Sequence, residues 1–141
     1  MSATWRDLNA LRNLERVCFP EDAWPLLDLI GVLTLPSIIR LKAVTQEDKM
    51  VGFIAGDIRQ SEKVTWIATI GVLPEYRGQG IGSALLEACE ARVPTPSIRL
   101  SVRISNQPAI QLYRSFNYNE VGMWPRYYND KEDALVMEKR L

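Results

Sequence analysis

The segment that most constrains this chain is Val72-Leu73-Pro74-Glu75-Tyr76-Arg77-Gly78-Gln79-Gly80-Ile81-Gly82-Ser83. A β-branched, apolar run from Val64 to Val72 leads into it, and an amphipathic stretch leads out. In that stretch Ile81, Ala84, Leu85, Ala88 and Cys89 recur at the i, i+3, i+4, i+7, i+8 spacing of one helix face. A buried strand that turns through alternate glycines into a helix gathers backbone N–H groups at the helix start, where their partial positive charge can meet an anion. Glycine lets the backbone approach a bulky group closely, so such a loop suits a pyrophosphate. Two familiar phosphate loops fail on spacing. The Walker type ends in Gly-Lys-[Ser/Thr], and no Lys occurs between Lys63 and Lys131. The dinucleotide type spaces its glycines Gly-x-Gly-x-x-Gly, whereas Gly78, Gly80 and Gly82 alternate.

The flanking pattern predicts an α/β fold, a central mixed, twisted sheet with helices on both faces. Thr4-x-x-Asp7 opens a first helix of capping-box type, with Leu8, Leu11 and Leu14 on one side. A second helix is expected over Glu21 to Leu33, with Pro25 in its first turn and Pro36 closing it. Strands follow at Ile39 to Ala43, Met50 to Arg59 and Val64 to Val72, the last apolar enough to be central. After a helix over Gly80 to Arg92, Ile98, Leu100 and Val102 alternate with polar residues in a strand. Asn106 caps a short helix that carries Pro108 early and ends near Phe116. Val121 to Trp124 and Ala134 to Glu138 read as final strands joined by a polar loop around Asn129-Asp130-Lys131. With no repeat, linker or low-complexity tract, residues 1–141 are expected to form one domain.

Composition removes several function classes. His is absent, which excludes Ser-His-Asp and Cys-His nucleophilic systems, a His general base and His-ligated metal. No metal site is expected. Lys plus Arg equals Asp plus Glu at 17 each, so there is no general basic footprint for nucleic acid. Cys18 and Cys89 lie far apart among apolar helical neighbours and read as two buried thiols in a reducing compartment. The start of the chain lacks an apolar signal core, and the stretch Trp24 to Leu35 is too short and interrupted to span a bilayer. A soluble, cytoplasmic protein without a membrane partner is expected.

Arg77-Gly78-Gln79-Gly80-Ile81-Gly82 resembles the Arg/Gln-x-x-Gly-x-Gly/Ala acyl-coenzyme A loop of the GNAT N-acetyltransferase family. Asn106-x-x-Ala109-Ile110-x-Leu112-Tyr113, with Phe116 and Tyr118, resembles that family's second cofactor segment. The tail Arg126 to Met137 and the segment Cys18 to Trp24 are similar to the RimI-type N-alpha-acetyltransferases within it. The resemblance implies a single GNAT acyl-CoA N-acyltransferase domain that uses acetyl-coenzyme A to acylate a primary amine by direct attack. It implies that the backbone around Ile70 and Val72 pairs with pantetheine, and that the amides of Gly78, Gln79, Gly80, Ile81, Gly82 and Ser83 hold the pyrophosphate, with Arg77 adding charge nearby. It also implies that the strands Val64–Val72 and Ile98–Val102 splay around the thioester. Asn106 and Ala109 would touch the cofactor arm, while Trp24, Tyr127 and Tyr128 would line the acceptor cleft.

Tyr113 is the implied general acid for the departing thiol, although a helical Tyr beside Leu112 and Phe116 can also serve packing alone. RimI-type enzymes place a Glu base where this chain has Ser101, in Leu100-Ser101-Val102-Arg103. A serine hydroxyl is no base near neutral pH. Either a water held by Ser101 and strand carbonyls relays the proton, or a carboxylate such as Glu120 or Asp133 substitutes. The family usually begins with an edge strand, for which only Met1 to Thr4 is available, and a monomer or homodimer stays open. The acceptor implied first is a protein N-terminus. A small amine (polyamine, amino acid or antibiotic) and a non-catalytic acyl-CoA sensor are the other readings.

Overall fold

In the computed structural model, residues 1–19, 31–128 and 130–141 are described. Six strands form one sheet in the order β1-β2-β3-β4-β6-β5: β1 Ile38–Val44, β2 Met50–Arg59, β3 Val64–Val72, β4 Ser97–Arg103, β5 Asn119–Trp124 and β6 Ala134–Arg140. All neighbours pair antiparallel except β3 and β4, which are parallel. The alternation of β2 explains the layering. Val51, Phe53 and Ala55 meet the helix α1 (Leu8–Cys18) and Leu33 on one face. Ile54 meets α2 (Ile81–Glu90) and α3 (Gln107–Ser115) on the other. Helices thus cover both faces of a mixed sheet, as the periodicity predicts.

Strand boundaries match the sequence reading at β2 and β3 and differ by one or two residues elsewhere. The expected helix over Glu21 to Leu33 lies mostly outside the described residues; residues 31–34 are helical, one residue past the expected end. Asp7 accepts the Thr4 N–H at 2.8 Å, and this bond opens a 3₁₀ turn, Trp5–Asp7, ahead of α1. The edge strand before it is vestigial. Ser2 makes a lone bridge to Leu41, Ala3 N–H donates to the Arg40 carbonyl, and Met1 O accepts from Lys42 N–H. Among the described residues no helix is long and apolar enough to cross a membrane.

One irregularity creates the site. Ala55 of β2 faces Thr69 of β3, but the next residue, Gly56, faces Ile67, so Ala68 is an extra residue in β3. Such a bulge bends its strand and increases the local twist. The parallel ladder between β3 and β4 spans only Val64–Trp66 against Ser97–Arg99. From Ile67 and Leu100 onward the two strands diverge, as the resemblance implies.

At the end of β3 the chain turns through Gly78 and Gly80, with φ of 79° and 81°. A Cβ on either would meet nothing within 4 Å. The demand for glycine there is therefore set by the backbone and not by space. Gly80→Ala is expected to lower stability by about 1–2 kcal/mol, read as a Tm several degrees below wild type in thermal unfolding.

Candidate active site

The diverging strands enclose a cleft of about 650 Å³. Its walls are Ile67 to Ile70 of β3 and Leu100 to Arg103 of β4; α1 closes one side, and Asn106, Ala109 and Tyr113 close another. Tyr127 and Tyr128 stand over it. Of the residues expected from sequence, Ile70, Ser101, Asn106, Ala109, Tyr113, Tyr127 and Tyr128 are brought together here. Trp24 lies outside the described residues.

The glycine loop stands beyond the cleft, at the start of α2. Gly80 caps the helix, and its carbonyl accepts the Ala84 N–H at 3.0 Å. The amides of Gly78 to Ser83 donate to no backbone carbonyl among the described residues. Six successive donors at the positive end of a ten-residue helix make an anion cradle. Arg77, expected to add charge near the pyrophosphate, bonds within the protein in this conformation. Its Nε donates to the Val72 carbonyl at 2.9 Å, because the β-extended Arg77 backbone turns the side chain back over the strand end. The Cys18 thiol donates to the same carbonyl at 3.3 Å. That carbonyl, one of the expected pantetheine partners, is thus engaged within the protein. Cys18 is half-buried at the cleft wall, not fully buried as its apolar neighbours suggest. Burial still pushes its pKa up, against the opposing pull of Arg77.

Tyr113 is positioned by the short helix α3. Asn106 Oδ1 accepts the Ala109 N–H at 3.3 Å and fixes the helix start; Pro108 occupies the first turn. The helix then turns Ile110 and Tyr113 inward. The Tyr113 ring lies 5.9 Å from that of Tyr118, whose hydroxyl donates to Glu90 at 2.8 Å. Burial holds the Tyr113 phenol well above its usual range, and Tyr128 acts in the same direction. A phenol so placed keeps its proton at neutral pH and can act only as a donor there.

The aromatic side of the cleft is braced by charge. Arg103 at the end of β4 bonds Asp130 at 2.8 Å and Glu132 at 3.0 Å, and lies 4.4 Å from the Tyr128 ring centre. Glu132 also accepts the Ser105 N–H at 2.8 Å, and its carboxyl is held below the usual range chiefly by bonds to Ser105. These contacts pin the loop carrying Tyr127 and Tyr128 against β4. From there a chain of rings runs through Trp124 to Trp66, with successive centres 5.0 to 5.6 Å apart. Tyr127 is 54 % exposed, so its ring is available to something entering the cleft.

Neither carboxylate suggested as a substitute base reaches this place. Glu120 pairs with Arg114 on the exposed strand β5, and Asp133 accepts the Arg126 N–H at 2.9 Å. Among the described residues the carboxylate that does line the cleft is Glu15, on α1, which sequence reasoning passed over. Its signal was present. Leu8, Leu11, Glu15 and Cys18 recur at i, i+3, i+7 and i+10, so a charged residue stands in the inward stripe of α1.

The acetyltransferase (GNAT) family model matches residues 8–118. An N-alpha-acetyltransferase of Saccharolobus solfataricus is 30% identical over 154 aligned positions, covering 99% of this chain and 91% of that protein. An N-alpha-acetyltransferase of Sulfurisphaera tokodaii is 41% identical over 75 residues, 50% of this chain and 45% of that one. The crystal structure of the ribosomal-protein-S18-alanine N-acetyltransferase from Escherichia coli superposes with a TM-score of 0.87 at 29% identity, covering 99% of this chain and 91% of that chain.

Proposed function

Because the chain belongs to the GNAT family of acetyl-coenzyme A-dependent N-acetyltransferases, we propose that its acceptor is the α-amine of a protein or peptide N-terminus. The observation that carries this reading is the nearly full-length similarity to an N-alpha-acetyltransferase. The braced tyrosine loop over the acceptor side of the cleft supports it, since exposed rings on a fixed loop offer a peptide apolar contact at little ordering cost.

The residues present fit an acyl-coenzyme A. The amides of Gly78 to Ser83, which donate to no backbone carbonyl among the described residues, would hold its pyrophosphate, and the β3 edge at Ile70 and Val72 would face its pantetheine arm. Pairing at Val72 requires Arg77 to release the carbonyl, which frees the guanidinium for a phosphate. Asn106 and Ala109 border the same arm from α3. When bound, acetyl-coenzyme A supplies the acetyl group and leaves as the thiol. Tyr113 would offer that sulfur a proton, a role its upward-shifted phenol can fill at neutral pH.

The test is a panel of peptides with different first residues, alongside polyamines, free amino acids and aminoglycosides, each incubated with protein and acetyl-coenzyme A. One acetyl mass on a peptide α-amine, with matching thiol release, is the expected outcome. Release with small amines only overturns the acceptor assignment. Tight binding of acetyl-coenzyme A with no release from any amine would make the protein a sensor.

A further inference from the structure

We infer that Glu15, on α1, takes the proton from the incoming ammonium, the task for which β4 offers only Ser101. The inference rests on the amine-acetylating reading above and adds the group that reading lacks.

Glu15 is 1 % exposed. Thr69 of β3 donates its hydroxyl to Glu15 Oε1 at 2.9 Å, which turns the carboxyl toward the strand that forms one wall of the cleft. Oε2 is buried with no hydrogen-bond partner among the described residues. A buried carboxylate oxygen without a donor costs free energy, and a purely structural role would be filled by an uncharged residue. An ammonium arriving in the cleft supplies the missing donor, directly or across one water.

Among the described residues, the charged and titratable groups around the cleft leave this oxygen unopposed. On α1 itself, Cys18 gives its proton to the Val72 carbonyl, with Arg77 lying against that same carbonyl. On β4, Arg103 is committed to Asp130 and Glu132. From α3 and the tyrosine loop come the phenols of Tyr113, Tyr127 and Tyr128. No cation bonds Glu15 among the described residues, and burial raises its pKa while the Thr69 bond only partly opposes the shift. The rise brings the carboxyl closer to an α-amine, whose ordinary pKa is about 7.7–8.0, so the transfer runs less steeply uphill. In that transfer the ammonium N–H bond breaks and an O–H bond forms on Oε2. The nitrogen keeps the electron pair for attack, and the carboxylic acid returns the proton to solvent before the next turnover.

Glu15→Gln keeps the volume and the bond from Thr69 while removing the base. It is expected to lower kcat/KM for a peptide acceptor by about 10²-fold or more and to abolish the acidic limb of the pH profile. Acetyl-coenzyme A affinity, measured by calorimetry, should stay within about twofold of wild type if the cofactor half is untouched. Carboxyl-labelled glutamate should show one resonance titrating above the ordinary ~4.3 in wild type and missing from the variant. The stability difference has a sign of its own. A folded pKa raised above the unfolded one means that wild type loses stability as pH rises between the two, so the Tm gap moves in favour of Glu15→Gln across that window.

Should Glu15→Gln fail to fold, Thr69→Val carries the test, because losing that hydrogen bond raises the carboxyl pKa further and moves the acidic limb to higher pH. An unmoved limb in Thr69→Val, or wild-type kcat/KM in Glu15→Gln, overturns the proposal. Loss of activity together with loss of acetyl-coenzyme A affinity points instead to a packing role and also overturns it. Wild-type protein that binds acetyl-coenzyme A yet acetylates no amine overturns the functional reading beneath it, an outcome visible before any variant is made.

Discussion

Tyr113→Phe is expected to lower kcat by about 10²- to 10⁴-fold while leaving acetyl-coenzyme A binding near the wild-type value. The substitution removes one oxygen and little else. The ring is 6 % exposed and packs 5.9 Å from Tyr118, contacts that Phe retains. What disappears is the proton that burial keeps on Oη at neutral pH. Because the phenol is shifted upward, wild type should show no loss of rate from its ionisation across an assay range ending near pH 9, so any basic limb there belongs to another group. Stopped-flow or steady-state thiol release gives kcat, and calorimetry gives the binding constant. An unchanged kcat would leave Tyr113 with packing alone.

The largest effect on stability is expected at Phe53. It is 1 % exposed at the middle of β2 and belongs to the cluster that seats α1 through Leu11 and Leu14. Phe53→Ala should cost about 3–5 kcal/mol, a large part of the roughly 5–15 kcal/mol typical of a domain. In thermal unfolding that is a fall of about 10 °C or more. Met123→Ala, on the exposed strand β5, serves as the contrast and should stay within about 0.5 kcal/mol. Since α1 carries Glu15, the Phe53 variant should also lose activity sooner on warming than it loses its sheet.

Most of the fold was legible because its signals are local. Alternation placed β4, a β-branched run placed β3, and the Asn106 cap with Pro108 placed α3. The glycine turn into α2 was legible too, since alternate glycines between a strand and a helix mark a tight turn. The features missed depend on neighbours distant in sequence. The extra residue at Ala68 is defined only by the register of β3 against β2. The bond from Arg77 to the Val72 carbonyl, which the resemblance gave no reason to expect, likewise shows only in the folded chain. Ser101 showed from sequence that a base was missing; Glu120 and Asp133 were guesses made without knowing which side chains the sheet gathers. Glu15 was hidden differently. Its spacing was visible, but a lone Glu among Leu8, Leu11 and Leu14 reads as the polar flank of an amphipathic helix until the burial of that stripe is known.

The short ladder between β3 and β4 also divides the sheet into two panels, β1-β2-β3 and β4-β6-β5, stitched by three residue pairs and one buried bond between the Thr65 and Thr95 hydroxyls. Beyond that corner residues of both panels belong to one apolar cluster with Leu86 and Ile110, while the β3–β4 ladder has ended. An acyl-coenzyme A bound in the gap, as proposed above, would act as a removable strut between the two panels. Its occupancy is therefore written into the durability of the whole chain: at a hundred times its dissociation constant, a ligand that binds only the folded form adds about 2.7 kcal/mol. The equilibrium stability of the fold at a given temperature would then track the supply of the compound that it consumes.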